Sequence, residues 1–496
     1  MELTFEQVQL PYLQCVLFET IVQEESGETI VPDRMPDMDR IVDAFAGVVL
    51  RGKDCQGGSV SLTGDIQAGV LYMAAQEDKP QELSLYLPFT IRRRVEGELD
   101  SCAVQCRVRS VEARMLNSRK LSIRVGLCVV VQAWHSAVQT CYRPQGQPGR
   151  VQLRYMDYPM RLPVEQTERS LLLQEELPLP ASCPPAARVI FADARIRITE
   201  DRLAGNQAVC KGNLELRIFY ETQEEALAVC DLSLPFSQLL PLEQEYEEQG
   251  LLFYPQLTSL ETSADGDRIA VEAGILMQCC VQKICTVPLV ADAYATRGSL
   301  QMETCVYELP QLLDQRLLRQ ELRQELPVQG GEILHAQALP DAPRVHWQDG
   351  VSQVSVPVQL SAMYRDGNGE LQLAQGRCEL AMDVPSGEAA CRIMAWTDGS
   401  LFAAPGAGNL EFRLPMAVQC TWYASTALSS VCKALLEEGG DLTERPAVII
   451  RTLEEEQSMW SLAKELRTTV SAIQIANDLD GDTAPAGTML LIPIVA

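Results

Sequence analysis

Histidines are few in this 496-residue chain, and the residues able to do acid–base or metal chemistry do not converge at catalytic or ligand spacing. There are three histidines, His135, His335 and His346, and none stands at a metal-ligand spacing from another histidine or from a cysteine pair. His346-Trp347 precedes a turn signal at Asp349-Gly350, which suits a surface or packing histidine. Cys102-x-x-x-Cys106, and Cys279-Cys280 with Cys285, could supply thiolates, but neither has a second pair at zinc-site spacing. The run Gln56-Gly57-Gly58 is not followed by Gly-Lys-Ser/Thr, so no phosphate loop is present. Acidic runs such as Glu243-Gln-Glu245-Tyr-Glu247-Glu248 hold many carboxylates. Glycoside hydrolysis, however, needs two of them across a sugar cleft, and a solvated acidic loop accounts for the run. These residues predict no catalytic constellation, no metal and no cofactor. The remaining chemistry is binding, and its residue types gather near the C-terminus: the polar loop Glu456-Gln457-Ser458, and Asn477-Asp478 with Asp480.

The elements that must position those two loops are readable around them. An apolar run, Val448-Ile449-Ile450, predicts a strand. Ser458 can cap a helix in which Met459, Leu462, Ala463 and Leu466 share one face. Thr468 or Thr469 can cap a second helix with Ile473 and Ala476 at helical spacing, and Asn477 suits its end. Gly487 and Met489-Leu490-Leu491-Ile492-Pro493 supply a turn and a closing strand. In the resulting β-α-α-β module the expected core is Trp460, Leu462, Ala463, Ile473, Leu479, Leu490 and Ile492, which leaves the loops at 456–458 and 477–486 for a partner.

This order resembles the LysM domain, whose pattern runs Gly-Asp-Thr-Leu-Trp-x-Ile-Ala, an Ile, Asn-x-Leu, and Gly-x-x-Leu-x-Ile-Pro. Trp460, Leu462-Ala463, Ile473, Asn477-x-Leu479 and Gly487-x-x-Leu490-x-Ile492-Pro493 occupy those places. The resemblance implies that the two loops line a groove which, in sugar-binding members, takes N-acetylglucosamine polymers. Here the family's Gly-Asp-Thr is replaced by Glu456-Gln457-Ser458, after Glu454 and Glu455, a departure that weighs against sugar.

A chain of this length suggests three or four domains at about 100 to 200 residues each. Its 67 acidic and 41 basic residues give a net charge of −26, which favours solubility and opposes binding to nucleic-acid backbones. The opening Met-Glu-Leu-Thr-Phe-Glu lacks the basic-then-apolar pattern of an export signal, and no apolar stretch approaches the roughly 18 residues of a membrane span. The expectation is a cytoplasmic protein. Its 17 cysteines are scattered, mostly in apolar stretches such as Leu127-Cys128-Val129 and Val229-Cys230. They are expected to be reduced and buried.

The rest of the chain repeats. Val60-Ser-Leu62-Thr-Gly64-Asp-Ile66-Gln-Ala68-Gly-Val70-Leu-Tyr72 recurs in Gly212-Asn-Leu214-Glu-Leu216-Arg-Ile218-Phe-Tyr220, shifted by 148 residues, and again in Val356-Pro-Val358-Gln-Leu360-Ser-Ala362-Met-Tyr364. Leu87-Pro88-Phe89 and Leu234-Pro235-Phe236 follow the first two copies, while the third keeps only Val384-Pro385. Each copy also holds a strand of strict alternation: Leu121 to Val129, Ile269 to Met277, and Leu410 to Val418. Gln174-Glu-Glu176-Leu177-Pro178 and Gln324-Glu325-Leu326-Pro327 are matching connectors. Leu312–Leu326 suits an amphipathic helix or an extended strand equally. The proline-rich stretch Pro178–Pro185 reads as a semi-rigid boundary, and Ala434–Glu444 as a flexible joint. The predicted fold is mainly β. Three tandem sandwich-like domains over 1–150, 151–304 and 305–433 lead through a linker at 434–446 to the small module at 447–496.

Ile30-Val31-Pro32-Asp33-Arg34-Met35-Pro36-Asp37-Met38-Asp39-Arg40-Ile41 resembles the opening signature of SPOCS domains, found in sporulation proteins of spore-forming Firmicutes. Tandem SPOCS domains before one LysM domain resemble the SipL-like family of spore-coat morphogenesis proteins. The resemblance implies a non-enzymatic scaffold, made in the mother cell, that attaches the basal coat layer to the forespore surface by binding a SpoIVA-like coat morphogenetic protein. It further implies a LysM domain that holds protein rather than glycan. The second reading is a cell-wall protein that binds peptidoglycan or N-acetylglucosamine.

Overall fold

The computed structural model describes residues 3–74, 79–145, 149–246, 249–328, 331–348, 351–384, 390–437 and 446–494. Three strands with strict alternation organise it, because a strand with every second residue apolar must place that face against another sheet. They form the centres of three sheets. In the first unit the strands are β1 (Phe5–Ile30), β2 (Met38–Gln56), β3 (Ser59–Ala74), β4 (Pro80–Arg94), β5 (Ser101–Asn117) and β6 (Lys120–Pro144). They make two sheets, β1-β6-β5 and β2-β3-β4. The second unit comprises β7 (Val151–Pro178), β8 (Ala186–Ala204), β9 (Gln207–Thr222), β10 (Leu227–Pro241), β11 (Gln249–Phe253), β12 (Gln256–Asp265) and β13 (Arg268–Ala295). The third comprises β14 (Ser299–Pro327), β15 (Glu332–Pro340), β16 (Arg344–Gln348), β17 (Val351–Arg365), β18 (Leu371–Val384), β19 (Ala390–Thr397), β20 (Phe402–Pro405) and β21 (Asn409–Glu437).

All three units share one plan. The first and last strands pair along their length, β1 with β6, β7 with β13 and β14 with β21, so each unit closes on itself. A second sheet centred on β3, β9 or β17 packs against that pair. The facing residues are the alternating sets: Leu121 to Val129 in β6, Ile269 to Met277 in β13 and Leu410 to Val418 in β21, none more than 2 % exposed. At roughly 1.5–3 kcal/mol for each fully buried large aliphatic side chain, these rows make a large contribution to the stability of their units, with the facing rows of the second sheet. The architecture is therefore mainly β, as expected, and among the described residues its two short helices lie in the C-terminal module.

The repeated motif has a structural meaning. Tyr72 and Tyr220 are fully buried, and their hydroxyls donate to the Pro36 and Pro184 carbonyls at 3.0 and 2.9 Å. Each thereby pins the turn that carries the chain from one sheet to the other. That turn is closed by Met35 N–H to Pro32 C=O in the first unit and by Cys183 N–H to Pro180 C=O in the second. Phe89 and Phe236 lie over Gly64 and Gly212, where a Cβ would come within 2.5 and 2.7 Å of the ring. The glycine and the phenylalanine thus belong together. The third copy has Val356 in the glycine's place and has drifted at both positions.

Several expectations are corrected. Gln174–Pro178 and Gln324–Pro327 are not linkers but the ends of β7 and β14, paired with Glu272–Arg268 and Phe412–Asn409. Pro178–Pro185 is a turn inside the second unit rather than a boundary between units. Leu312–Leu326 is strand, held along β21. The third unit starts at Ser299, since Ser299 and Thr304 already pair with Glu437 and Val431, and Ala434–Glu437 belong to β21 rather than to a joint. Residues 438–445 of that joint, Glu247 and Glu248 of the acidic run, and Asp349-Gly350 lie outside the described residues. The cysteines are not all reduced: Cys55 pairs with Cys102 and Cys305 with Cys432 as disulfides. Strand packing brings these partners together across 47 and 127 residues, a proximity invisible in their spacing. The other cysteines are buried or half-buried.

The units also pack on one another, around a pseudo-threefold junction. Leu71, Phe219 and Met363 meet there, and their cross-strand partners are Asp43, Phe191 and His335. His335 Nδ1 lies 2.6 Å from Asp43 Oδ2, both side chains buried, and its ring stacks on Phe219 at 4.7 Å. One contact therefore joins all three units. Nearby, the second unit caps the edge of β5. Gln278 accepts from Val104 N–H and donates to Val104 C=O at 3.0 and 2.9 Å, and Gln256 accepts from Cys106 N–H at 2.6 Å. These amides replace a missing strand on an otherwise open edge. Replacing Phe219 with alanine should cost about 3–5 kcal/mol of stability in chemical denaturation. It should also lower the unfolding midpoints of the first and third units, whereas a purely local core residue would affect the second alone.

Candidate functional site

The C-terminal module is built on β22 (Val448–Thr452) and β25 (Met489–Pro493), an antiparallel pair that packs its inner face on α1 (Met459–Leu466) and α2 (Val470–Asn477). Ser458 caps α1, its hydroxyl accepting from Ser461 N–H at 3.1 Å, and Thr469 caps α2 by accepting from Ala472 N–H at 3.1 Å. Thr468 instead donates its hydroxyl to the Pro493 carbonyl. Both helices end on residues in the left-handed region, Arg467 (φ 53°) and Asp478 (φ 52°). Asn477 is therefore the last residue of α2, and Asp478 is its cap. Leu462, Ala463, Ile473, Leu490 and Ile492 are buried, together with Met459, and Leu479 is half-buried. Ala476, at helical spacing from Ile473, points to solvent.

The two predicted loops come together. Gln457 and Ser458 form β23 (Gln457–Ser458), which pairs with β24 (Thr483–Ala484), and Met459 N–H donates to the Asp482 carbonyl at 2.7 Å. A second tie comes from Asn477, whose amide donates to the Ile473 and Leu491 carbonyls and accepts from Leu491 N–H, each at 2.7 Å. Its amide is thus engaged in joining α2 to β25. Ser458 is likewise engaged as a cap. Six of the side chains these loops leave exposed are carboxylates, Glu454, Glu455, Glu456, Asp478, Asp480 and Asp482, beside the uncharged Thr483, Pro485 and Ala486. No cation interrupts 454–458 or 478–486.

Trp460 departs from its expected place. It is half-buried, and what covers it is the second unit. Its indole N–H donates to Asp292 at 2.8 Å, and its ring meets Tyr294 edge-on at 4.9 Å. Lys464 reaches both Asp292 oxygens at 2.7 and 2.8 Å, and the Tyr294 hydroxyl donates to the Thr468 carbonyl at 2.7 Å. Burial pushes the Asp292 carboxyl upward, but the hydrogen bonds from Lys464 and Trp460 and the lysine charge outweigh it and hold it below the ordinary range. Burial, with the Asp292 charge, pushes the Tyr294 phenol up to about 12. Sequence reading missed Asp292 and Tyr294 because nothing in the module points to them. Their one local mark is the bulge between Val290 and Asp292.

The residues weighed for catalysis stay apart. His335 sits in the junction, His346 is exposed, and His135 lies 3.1 Å from Asp100 at the surface. Among the described residues no group of three His, Cys, Asp or Glu side chains is arranged to hold a metal ion, and no helix is long and apolar enough to cross a membrane.

Residues 452–493 match the family model of the LysM domain, in agreement with the β-α-α-β geometry. Comparison with curated proteins and with solved structures finds no match. Replacing Ser458 with alanine should cost about 1 kcal/mol through the lost cap, and Asn477→Ala should cost more, since it also strands the Leu491 amide. Both are read as faster amide exchange in α1 and α2 of the full chain, with exchange in β6, β13 and β21 unchanged.

Proposed function

We propose that this chain is a non-enzymatic assembly scaffold whose LysM domain holds a protein partner on its loop face. One observation carries this reading: the loops at 454–458 and 478–486 are exposed and bear six carboxylates without a cation, while α1 is turned onto the second unit. Neutral N-acetylglucosamine polymers have no charge for those carboxylates to pair with, whereas a protein surface rich in lysine and arginine does. The resemblance of Ile30–Ile41 to SPOCS domains supports a finer reading. In it the scaffold acts in the mother-cell cytoplasm at the forespore surface, the partner is a SpoIVA-like coat morphogenetic protein, and the three β units serve as spacers and further docking surfaces.

A second reading, binding of peptidoglycan or N-acetylglucosamine, is favoured by the LysM match itself. The two separate cleanly. Deleting residues 447–496 should abolish capture of the coat protein from sporulating cells, and the intact chain should not be retained by chitin oligomers or peptidoglycan. Retention on glycan without capture of the coat protein would overturn the scaffold reading. Changing Glu456→Gly, Gln457→Asp and Ser458→Thr restores the sugar-type loop and should create measurable glycan retention if that loop is what excludes sugar.

A further inference from the structure

The LysM module is joined to the rest of the chain by residues 438–445, Glu-Gly-Gly-Asp-Leu-Thr-Glu-Arg. Its helix α1 meets the second unit through a set of contacts that fit one another chemically. The Asp292 carboxylate takes the Trp460 indole N–H with one oxygen and the Lys464 ammonium with both. Two residues on, the Tyr294 ring packs edge-on against Trp460, and its hydroxyl reaches past α1 to the Thr468 carbonyl. Tyr294 is 5 % exposed and is part of the module's own apolar core.

This arrangement belongs to one unit of the three. By the shifts that superpose the alternating strands, Asp292 and Tyr294 of β13 correspond to Lys433 and Leu435 of β21, and Asp292 to Pro144 of β6. Lys433 would repel Lys464, Leu435 has no hydroxyl for Thr468, and Pro144 offers neither charge nor donor. The bulge between Val290 and Asp292 recurs in β21 at Cys432, so the backbone is shared and only the side chains differ. The docking chemistry is thus absent where the fold alone would allow it.

We propose that the end of β13 is a built receptor for the LysM helix α1, with Asp292 as its key. In this account the second unit, rather than the tether, fixes the module as an arm with its loop face outward. The attachment is non-covalent and specific. It withholds the Trp460 face of α1 from any outside partner, and it holds whichever ligand the loop face takes. The tether contributes only a high local concentration.

The test cuts the tether in the full chain. A protease site is placed within 438–445, the purified protein is cleaved, and size exclusion at tens of micromolar asks whether the LysM fragment still travels with the body. The expected result is co-elution for the wild type and separation for Asp292→Lys, with affinity reduced at least tenfold. Adding Lys464→Asp to Asp292→Lys should restore co-elution, which distinguishes a lost contact from a misfolded arm. Separation of the wild-type fragment, retention in the Asp292→Lys variant, or failure of the charge swap to restore binding would each overturn the proposal.

Discussion

The structure depends on one constraint: each of three long strands carries a continuous apolar row facing its unit's own second sheet, and that row must be covered. A one-residue slip would turn the whole row away from the sheet that covers it, so β6, β13 and β21 fix the register of the strands beside them. The second sheet of each unit covers the row, and the buried tyrosines Tyr72 and Tyr220 tie down the turns that bring that sheet across. Pairing of first and last strands then closes each unit and sets the ends of β6, β13 and β21 where they can meet other units.

Joining the units relies on a different kind of interaction. Their interfaces use polar groups with exact partners: Gln278 and Gln256 on the edge of β5, and Asp43 with His335 across the Phe219 ring. Buried polar groups of this sort are costly unless paired, so they select one arrangement of the units over others that apolar packing alone would permit. The same logic recurs at the C-terminal module. There, Asp292 satisfies Trp460 and Lys464 together, and the loops on the free face present their carboxylates to solvent.

What was legible in the sequence was local or periodic. Strict alternation revealed the three central strands, and the spacing of Leu462-Ala463, Ile473, Leu490 and Ile492 revealed the LysM core, because both patterns are set by the geometry of a single element. Tyr72 and Tyr220 were visible as repeats, although their task was not. The misses are all long-range. Gln174–Pro178 and Gln324–Pro327 read as connectors because a strand's partner, about a hundred residues away, leaves no mark on its own composition. The pairs Cys55–Cys102 and Cys305–Cys432, the Asp43–His335 contact and the Asp292 key depend likewise on which strands face each other. Asn477 shows the converse. Its place in the LysM pattern was plain, yet the pattern did not show that its amide ties α2 to β25.

The proposed function requires the acidic loop face of the LysM domain to bind protein. The most direct measurement is capture of the coat protein by the full chain, compared with a variant in which Glu454, Glu455, Glu456, Asp478 and Asp480 are replaced by their amides. Capture should fall at least tenfold, and the wild-type interaction should weaken steeply with added salt. Undiminished capture by the amide variant, or salt-independent binding of the wild type, would contradict it.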